Sequence, residues 1–433
     1  MALWRSTVIV SAMTMLSRVL GLVRDIVLLN VFGAGKDFDT FVVAFRIPNF
    51  FRRLFAEGAF SQAFIPVLTE YKTGRTHAEV QILISRVFGC LMTVMTALTF
   101  IAMVAAPAVL YIYAPGFHAD PEKFDLAVSM FRLTIPYLLF MSLTAFASSI
   151  LNSYGSFASP AFSPVLLNVA MIAGAWWLTP YMAEPIMALG WAVIAAGVLQ
   201  LAIQIPELWH KKLLIPPKVD FKHEGVDRIM KLMLPALFGV SVTQINLLLN
   251  TIWASFMQDG SVSWLYSAER MTELPLGLIG VAIGTVILPA LSTRHAEQDM
   301  SKFRGMMDWA AKVIVLVGVP ASIALFMLST PIIQALFQRG QFTIEDTQMT
   351  ALALQCMSAG VISFMLIKVF APGFYAQQDT KTPVRVGLMA VAANAILNVV
   401  FIGFFKLIDW HAEHMALALA SSGSALVNAG MLY

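Results

Sequence analysis

The sequence predicts an all-α polytopic membrane protein: two six-helix lobes related by a parallel internal repeat around a central cavity. Three observations carry that expectation. Of 433 residues, 59% are hydrophobic and only 12% charged, with a mean hydropathy of +0.77. Soluble domains carry about 25% charged residues, so this much apolar surface calls for lipid as solvent. Twelve apolar runs are each long enough to cross a bilayer, which takes about 20 residues. Proline-bearing motifs of the first half return at a fixed offset in the second.

The runs cover residues 6–33, 38–71, 80–113, 126–152, 159–179, 186–209, 226–257, 262–292, 307–329, 346–376, 382–406 and 414–433. The opening "MALWRSTVIVSAMTML" has the basic start and apolar stretch of a signal peptide. No small-residue cleavage site follows, and the run continues through Arg18, so it reads as the first span. Several runs exceed the bilayer thickness and imply tilt or kinks, with Gly21, Pro48, Pro66 and Pro289 as candidate kink points. Lys and Arg crowd the loops on the N-terminal side: Arg5; Lys72, Arg75 and Arg86; Lys211, Lys212, Lys218, Lys222, Arg228 and Lys231; Arg294, Lys302 and Arg304; Lys381 and Arg385. The opposite loops hold Lys36, Lys123, Arg339 and Lys406. This asymmetry predicts a cytoplasmic N-terminus. The stretch "HKKLLIPPKVDFKHEGVDRIMK" is then a cytoplasmic linker whose basic residues act as orientation signals or touch anionic lipid head groups. The net charge of +3 is too small to point to nucleic acid. Cys90 and Cys356 lack the paired spacing of a disulfide or zinc site and read as small core residues.

"AFIPVLTEY" around Pro66 returns as "VILPALSTR" around Pro289, 223 residues later, and "NSYGSFASPAF" around Pro160 returns as "AQQDTKTPVRV" around Pro383 at the same offset of 223. The alternative is chance similarity between apolar helices; a shared offset at two separate prolines argues against it. The boundaries expected are an N-lobe at 1–209, a linker at 210–225 and a C-lobe at 226–433. Six spans per half is an even number, so both halves share one orientation and are related by an axis along the membrane normal.

Charges inside the spans are clustered. The first span carries Arg18, Arg24 and Asp25; the second, "FRIPNFFRRLFAEGAF", carries Arg46, Asn49, Arg52, Arg53 and Glu57; the eighth, "YSAERMTELPLGLIG", carries Glu269, Arg270 and Glu273. An arginine at the bilayer centre costs about 2.5–3.5 kcal/mol on insertion scales and faces protein interior or water. Helical spacing puts Arg18 and Asp25 on one face, Arg53 and Glu57 on another, and Glu269 with Glu273 on a third. The first two pairs can be structural ion pairs locking helices, and Arg270 lies beside the two glutamates of the third. Arg24 is rotated about 240° from Arg18, so either a kink at Gly21 turns both inward or one of them snorkels. Arginine is nevertheless in excess in the first two spans. The guanidinium fork matches phosphate bidentately and keeps its charge, which favours a phosphate or diphosphate held within the membrane.

"SRVLGLVRD", "RIPNFFRRLFAEGAFSQAFIPVLTEY", "YSAERMTELPLGLIGVAIGTVILPALS" and "FYAQQDTKTPV" together resemble the MurJ lipid II flippases of the bacterial cytoplasmic membrane, over essentially the whole chain. The resemblance implies the two-lobe fold of the multidrug/oligosaccharidyl-lipid/polysaccharide exporter superfamily, with alternating access around a cationic cavity. It implies lipid II, the undecaprenyl-diphosphate-linked disaccharide-pentapeptide, as substrate, membrane lipids as further contacts, and cell-wall synthesis and division proteins as possible partners. The family's cavity arginines fall on Arg18, Arg24, Arg52 and Arg270, which would bind the diphosphate. A second tier, at the cavity or its gates, comprises Asp25, Asn49 and Arg53 from the charged clusters. To these the family pattern adds Asp39, Glu57, Ser263 and Glu273. Asp39 also reads as an acid favoured by the helix dipole. Family members usually carry two further C-terminal helices, 13 and 14, which with the C-lobe form a groove for the lipid tail; the sequence ends at Tyr433, before them.

The other signals lead elsewhere or nowhere. No nucleophile with its base and no phosphate-cradling Gly-rich loop with its Lys is present, so no enzyme, cofactor or ATP-driven pump is expected. "HAEH" at 411–414 reads as a solvated loop rather than a metal site. Asn394 and Asn398 share a face of the eleventh span, as a coupled cation would need or as helix-to-helix bonding would produce. Two alternatives from the same superfamily remain. A drug/cation antiporter wants carboxylates without an arginine surplus, whereas a polysaccharide-lipid flippase also suits a cationic cavity and is separated only by the motifs. A scaffold for cell-wall enzymes would require the charges to pair off fully.

Overall fold

A computed structural model describes residues 2–56, 59–277, 287, 291–294, 297–408 and 411–433; residues 2–9, 53–56, 59, 235–236 and 238–244 are described by backbone alone. Among the described residues all regular structure is helical. The first half contains α1 (Ala2–Phe32), α2 (Lys36–Ala56), α3 (Ala59–Gly74), α4 (His77–Val104), α5 (Ala106–Tyr113), α6 (Pro121–Thr134), α7 (Tyr137–Ser153), α8 (Ala158–Ala173), α9 (Met187–Ala202) and α10 (Ile205–His210). There follow α11 (Glu224–Ala254), α12 (Ser261–Pro275), α13 (Met300–Met327), α14 (Ser329–Phe337), α15 (Ile344–Ser358), α16 (Val361–Ala376), α17 (Lys381–Leu407) and α18 (His414–Leu432).

Every predicted apolar run is largely helical over its described residues, and several are interrupted. Among the described residues, seven helices or continuous helix pairs are long and apolar enough to cross a membrane; α15 and α16, bent by 44° across Ala359 and Gly360, make an eighth. The bend sits where a Cβ on Gly360 would come 2.8 Å from the Cα of Ser422 on α18, so only glycine allows this approach. Of the predicted kink points, Gly21 lies within an unbroken α1, Pro48 within α2 and Pro66 within α3; Pro289 lies outside the described residues. The third residue of α8 is Pro160 and that of α17 is Pro383, near a helix start where a missing N–H costs nothing.

Local chemistry explains where the helices begin. Thr76 and Glu79 form a reciprocal capping box on α4, and Thr343 with Asp346 forms another on α15. Asp120 caps α6 by accepting from the Lys123 N–H, with Pro121 as the first helical residue.

The chain divides into two compact units. The first comprises Met1–Phe32 and Lys36–Ser241, the second Gly33–Gly35 and Val242–Tyr433. In the first, α1 packs on α8, α2 on α6 and α7, and α9 on α7 and α8. Leu28, Leu29, Phe38, Phe64, Leu68, Phe131 and Tyr137 are fully buried in it. The linker belongs to this unit and is strapped to α4. Lys218 N–H donates to the Ser85 carbonyl at 3.0 Å, Ser85 Oγ donates to the Pro216 carbonyl at 2.7 Å, and Gln81 Nε2 donates to the Lys212 carbonyl at 2.8 Å. Gly89 makes this possible, because a Cβ there would strike the Lys218 backbone. In the second unit α17 packs on α18, α12 on α15, and α13 and α18 on α16. Its core joins Ile314, Val361, Met365, Val369 and Phe370. Cys90 and Cys356 are buried free thiols.

Candidate functional site

In the first unit, the C-terminal half of α1 is anchored by buried Val27, Leu28 and Leu29, while Met15, Leu16 and Val19 upstream are exposed. That anchoring carries Arg24 into the packed layer between α1 and α8. Its Nε and Nη2 both donate to Asp25 Oδ1, at 2.9 and 2.7 Å, and its Nη1 donates to Asn168 Oδ1 of α8 at 3.1 Å. Asn168 Nδ2 in turn donates to the Ser17 carbonyl at 3.0 Å. The side chains of Arg24 and Asp25 are only 11% and 3% exposed. Asp25 therefore serves its neighbour Arg24, rather than Arg18 on its own helical face as the spacing suggested. Burial decides this, because a desolvated carboxylate needs the nearest charge that the packing also buries. Arg18 itself is exposed, with no ion pair or side-chain hydrogen bond among the described residues. With α1 unbroken at Gly21, the two arginines part: one packs inward and one stays accessible.

On α2, Arg46 is buried, and Arg52 Nε donates to Asn49 Oδ1 at 2.8 Å. The side chain of Arg53, and Glu57 altogether, lie outside the described residues. At the start of the same helix Asp39 is buried and meets Lys123 Nζ of α6 at 3.4 Å; that ammonium also lies 4.1 Å from the centroid of Phe117. Asp39 thus joins two helices besides sitting in the favourable first turn of α2. Nearby, the half-buried Lys36 Nζ bonds Asp120 at 2.7 Å. The hydrogen bond between them holds the Asp120 carboxyl below, and the Lys36 ammonium above, their ordinary pKa ranges.

In the second unit, α12 presents Arg270, whose Nη1 donates to Glu273 Oε2 at 2.7 Å and whose guanidinium lies 5.0 Å from the Tyr266 ring centroid. This pair is three residues apart on one helix, the neighbour spacing expected, with side chains 26% and 46% exposed. Ser263, one turn before Ser267, is fully buried, and its carbonyl accepts from Ser267 Oγ at 2.8 Å. Asn398 Nδ2 donates to Asn394 and Asn250, at 3.0 and 3.2 Å, and Asn250 Nδ2 donates to Ser421 Oγ at 2.8 Å. These asparagines thus tie α11, α17 and α18 together. His414 is not in a solvated loop: it is buried at the start of α18, with Nε2 2.9 Å from the Met349 carbonyl and its ring 5.0 Å from Trp264.

The sequence reasoning missed three residues that hold the predicted ones: Asn168, Lys123 and Tyr266. Asn168 was legible as an amide in the apolar run "PVLLNVAMI"; Lys123 had been counted only as a loop charge.

All-helical structure with seven to eight apolar spans among the described residues, and with arginines embedded in the helices, has the makings of a multi-pass membrane transporter. A solved structure described as an inward-facing multidrug resistance MATE family transporter of the MOP superfamily superposes with a TM-score of 0.75, covering 97% of this chain and 96% of that one at 12% identity. That likeness fixes the fold. A structure described as lipid II flippase MurJ in an inward closed conformation matches with a TM-score of 0.84 and 28% identity, covering 98% of this chain and 86% of that one. The family described as "Lipid II flippase MurJ" matches residues 28–433. A probable lipid II flippase MurJ of Vibrio cholerae serotype O1 is 46% identical over all of this chain and 82% of the relative; a lipid II flippase MurJ of Burkholderia cenocepacia is 41% identical over all of this chain and 83% of the relative. The chain belongs to the MurJ family. It is a transporter rather than an enzyme.

Proposed function

We propose that this chain flips lipid II from the inner to the outer leaflet of the bacterial cytoplasmic membrane, by alternating access between two lobes related by the 223-residue repeat. The observation that carries the reading is a guanidinium, Arg24, held inside an apolar helix bundle, where it bonds Asp25 and Asn168. Together with family membership this fits a receptor for a lipid-borne diphosphate. Arg18, Arg24, Arg52 and Arg270 bind the head group, and the prenyl tail stays in the lipid. Asp25 and Glu273 hold Arg24 and Arg270 between turnovers, and the diphosphate competes with them for the guanidinium groups.

The N-terminus faces the cytoplasm, a reading supported by the asymmetry of the loop charges. With the inside negative, each unit charge moved across is worth about 2.3 kcal/mol per 100 mV. Outward passage of the anionic head group and return of the empty, net-positive cavity are both favoured, so the potential drives the cycle. The direct test is depletion. Cells losing the protein should accumulate lipid II on the cytoplasmic leaflet, and restoring the wild-type chain, but not Arg24→Ala or Arg270→Ala chains made at equal abundance, should return it to the outer leaflet. Normal outer-leaflet exposure in depleted cells would end the proposal.

A further inference from the structure

We propose that the linker between α10 and α11 is a docking strip for anionic phospholipid. Its lysine ammonium groups hold the head-group phosphates, and exposed apolar side chains enter the lipid beside them. The inference is independent of the lipid II reading and of the arginines within the helices.

From Lys211 to Lys222 the linker carries four lysines and one carboxylate. The carboxylate, Asp220, is engaged: it lies 3.7 Å from Arg86 of α4 and accepts the Lys222 backbone N–H at 3.2 Å. The ammonium groups of Lys211, Lys212, Lys218 and Lys222 make no ion pair or hydrogen bond among the described residues. Basic residues close by behave otherwise. Arg75 meets Glu224 at 3.4 Å, Arg228 meets Glu70 at 2.7 Å and Lys231 meets Asp227 at 2.6 Å. Setting orientation needs only the charges themselves and gives no reason to put apolar side chains among them. Yet Trp209 is 73% exposed, and Leu214, Val219 and Phe221 are exposed with it. Lysines alternating with tryptophan, phenylalanine and leucine suit the boundary between head groups and acyl chains.

The packing fixes where the strip lies. α9 and α10 together form one span, Met187–His210, and α4 is another. Trp209 therefore sits at the end of a membrane crossing, the level that tryptophan favours. From there the linker follows α4. The Lys212 carbonyl is bonded at Gln81, and the Lys218 backbone reaches Gly89, about two turns or 12 Å further along the helix. The turn into the strip has its own cost. Leu213 N–H donates to the Leu208 carbonyl at 2.9 Å and Lys212 N–H to the Trp209 carbonyl at 2.8 Å, which closes α10 with Lys212 at φ 57°. Glycine is the usual residue there, because a side chain strains the left-handed backbone. Lys212 bears that strain and sets an ammonium at the end of the span.

The experiment places the full chain in phosphatidylcholine vesicles that hold a fixed fraction of brominated phosphatidylglycerol or of brominated phosphatidylcholine. Quenching of tryptophan fluorescence is read, and the contribution of Trp209 is the difference between the chain and its Trp209→Phe counterpart. Brominated phosphatidylglycerol should quench that contribution at least roughly twice as strongly as brominated phosphatidylcholine, as clustered lysines at an anionic surface require. The triple change Lys212→Gln, Lys218→Gln and Lys222→Gln should bring the two lipids to equality. Salt at about 1 M, where screening acts within about 3 Å, should do the same to the wild type without any substitution. Equal quenching by the two lipids in the wild type at low salt would overturn the inference. So would quenching by neither, the result expected of a strip that faces water or docks a protein. A preference for phosphatidylglycerol that survives the triple change would place its source elsewhere and end the proposal.

Discussion

The two units hold their arginines in different ways. In the first, Arg24 is gripped by Asp25 and Asn168 across two helices, with both ionic partners almost wholly buried. In the second, Arg270 meets Glu273 one turn along the same helix, and both are substantially exposed. The bond to Asn168 exists only once the helices have packed; the Arg270–Glu273 bond joins residues three apart on one helix. A buried guanidinium fixed by the fold is set in advance for its ligand, whereas an exposed one on a local pair can follow the ligand.

Substitutions should separate the two modes, and the largest effects belong to buried pairs. Lys123→Ala leaves Asp39 desolvated without its ammonium and should lower stability by about 3–5 kcal/mol, read as a marked drop in the unfolding temperature of the purified protein. Asp25→Ala should cost a similar amount, of order 3 kcal/mol, because Arg24 loses its buried counter-charge. Against these, Arg270→Ala should change stability by no more than about 1 kcal/mol, the range of exposed pairs, and yet reduce lipid II flipping in proteoliposomes at least roughly tenfold. Equal destabilisation by Asp25→Ala and Arg270→Ala would erase the distinction between the units.

The smallest effect concerns pH. Because the folded pKa of Asp120 lies below its ordinary value of 3.8, the Lys36 bond contributes stability above that value and loses it as the pH falls through the folded pKa. A Lys36→Ala chain should therefore match the wild type more closely in strong acid than at neutral pH, in melting temperatures taken across that range.

The helical fold was legible because composition and run length dictate it. What the sequence blurred was where helices break. Residues 344–376 read as one run, but the approach of Gly360 to Ser422 bends it, and that contact joins residues far apart in the chain. The site shows the same limit. Spacing put Glu269 and Glu273 on one face with Arg270 beside them, and on that one helix Arg270 bonds Glu273. It assigned Asp25 to Arg18, because periodicity sees faces and not burial, and it overlooked Asn168 and Lys123, whose roles arise only from packing against α1 and α2. His414 was misread for the same reason: no local pattern shows that Trp264 covers it.

The central claim is that arginines carried within the helices receive a lipid-borne diphosphate. Its most direct test compares the affinity of the purified chain for lipid II with that for an analogue whose diphosphate is replaced by a neutral linkage. The account predicts that the neutral analogue binds roughly a hundredfold more weakly, as the loss of two charge-assisted bonds would produce, and that Arg24→Ala removes most of the difference. Equal binding of the two lipids by the wild-type chain would contradict it.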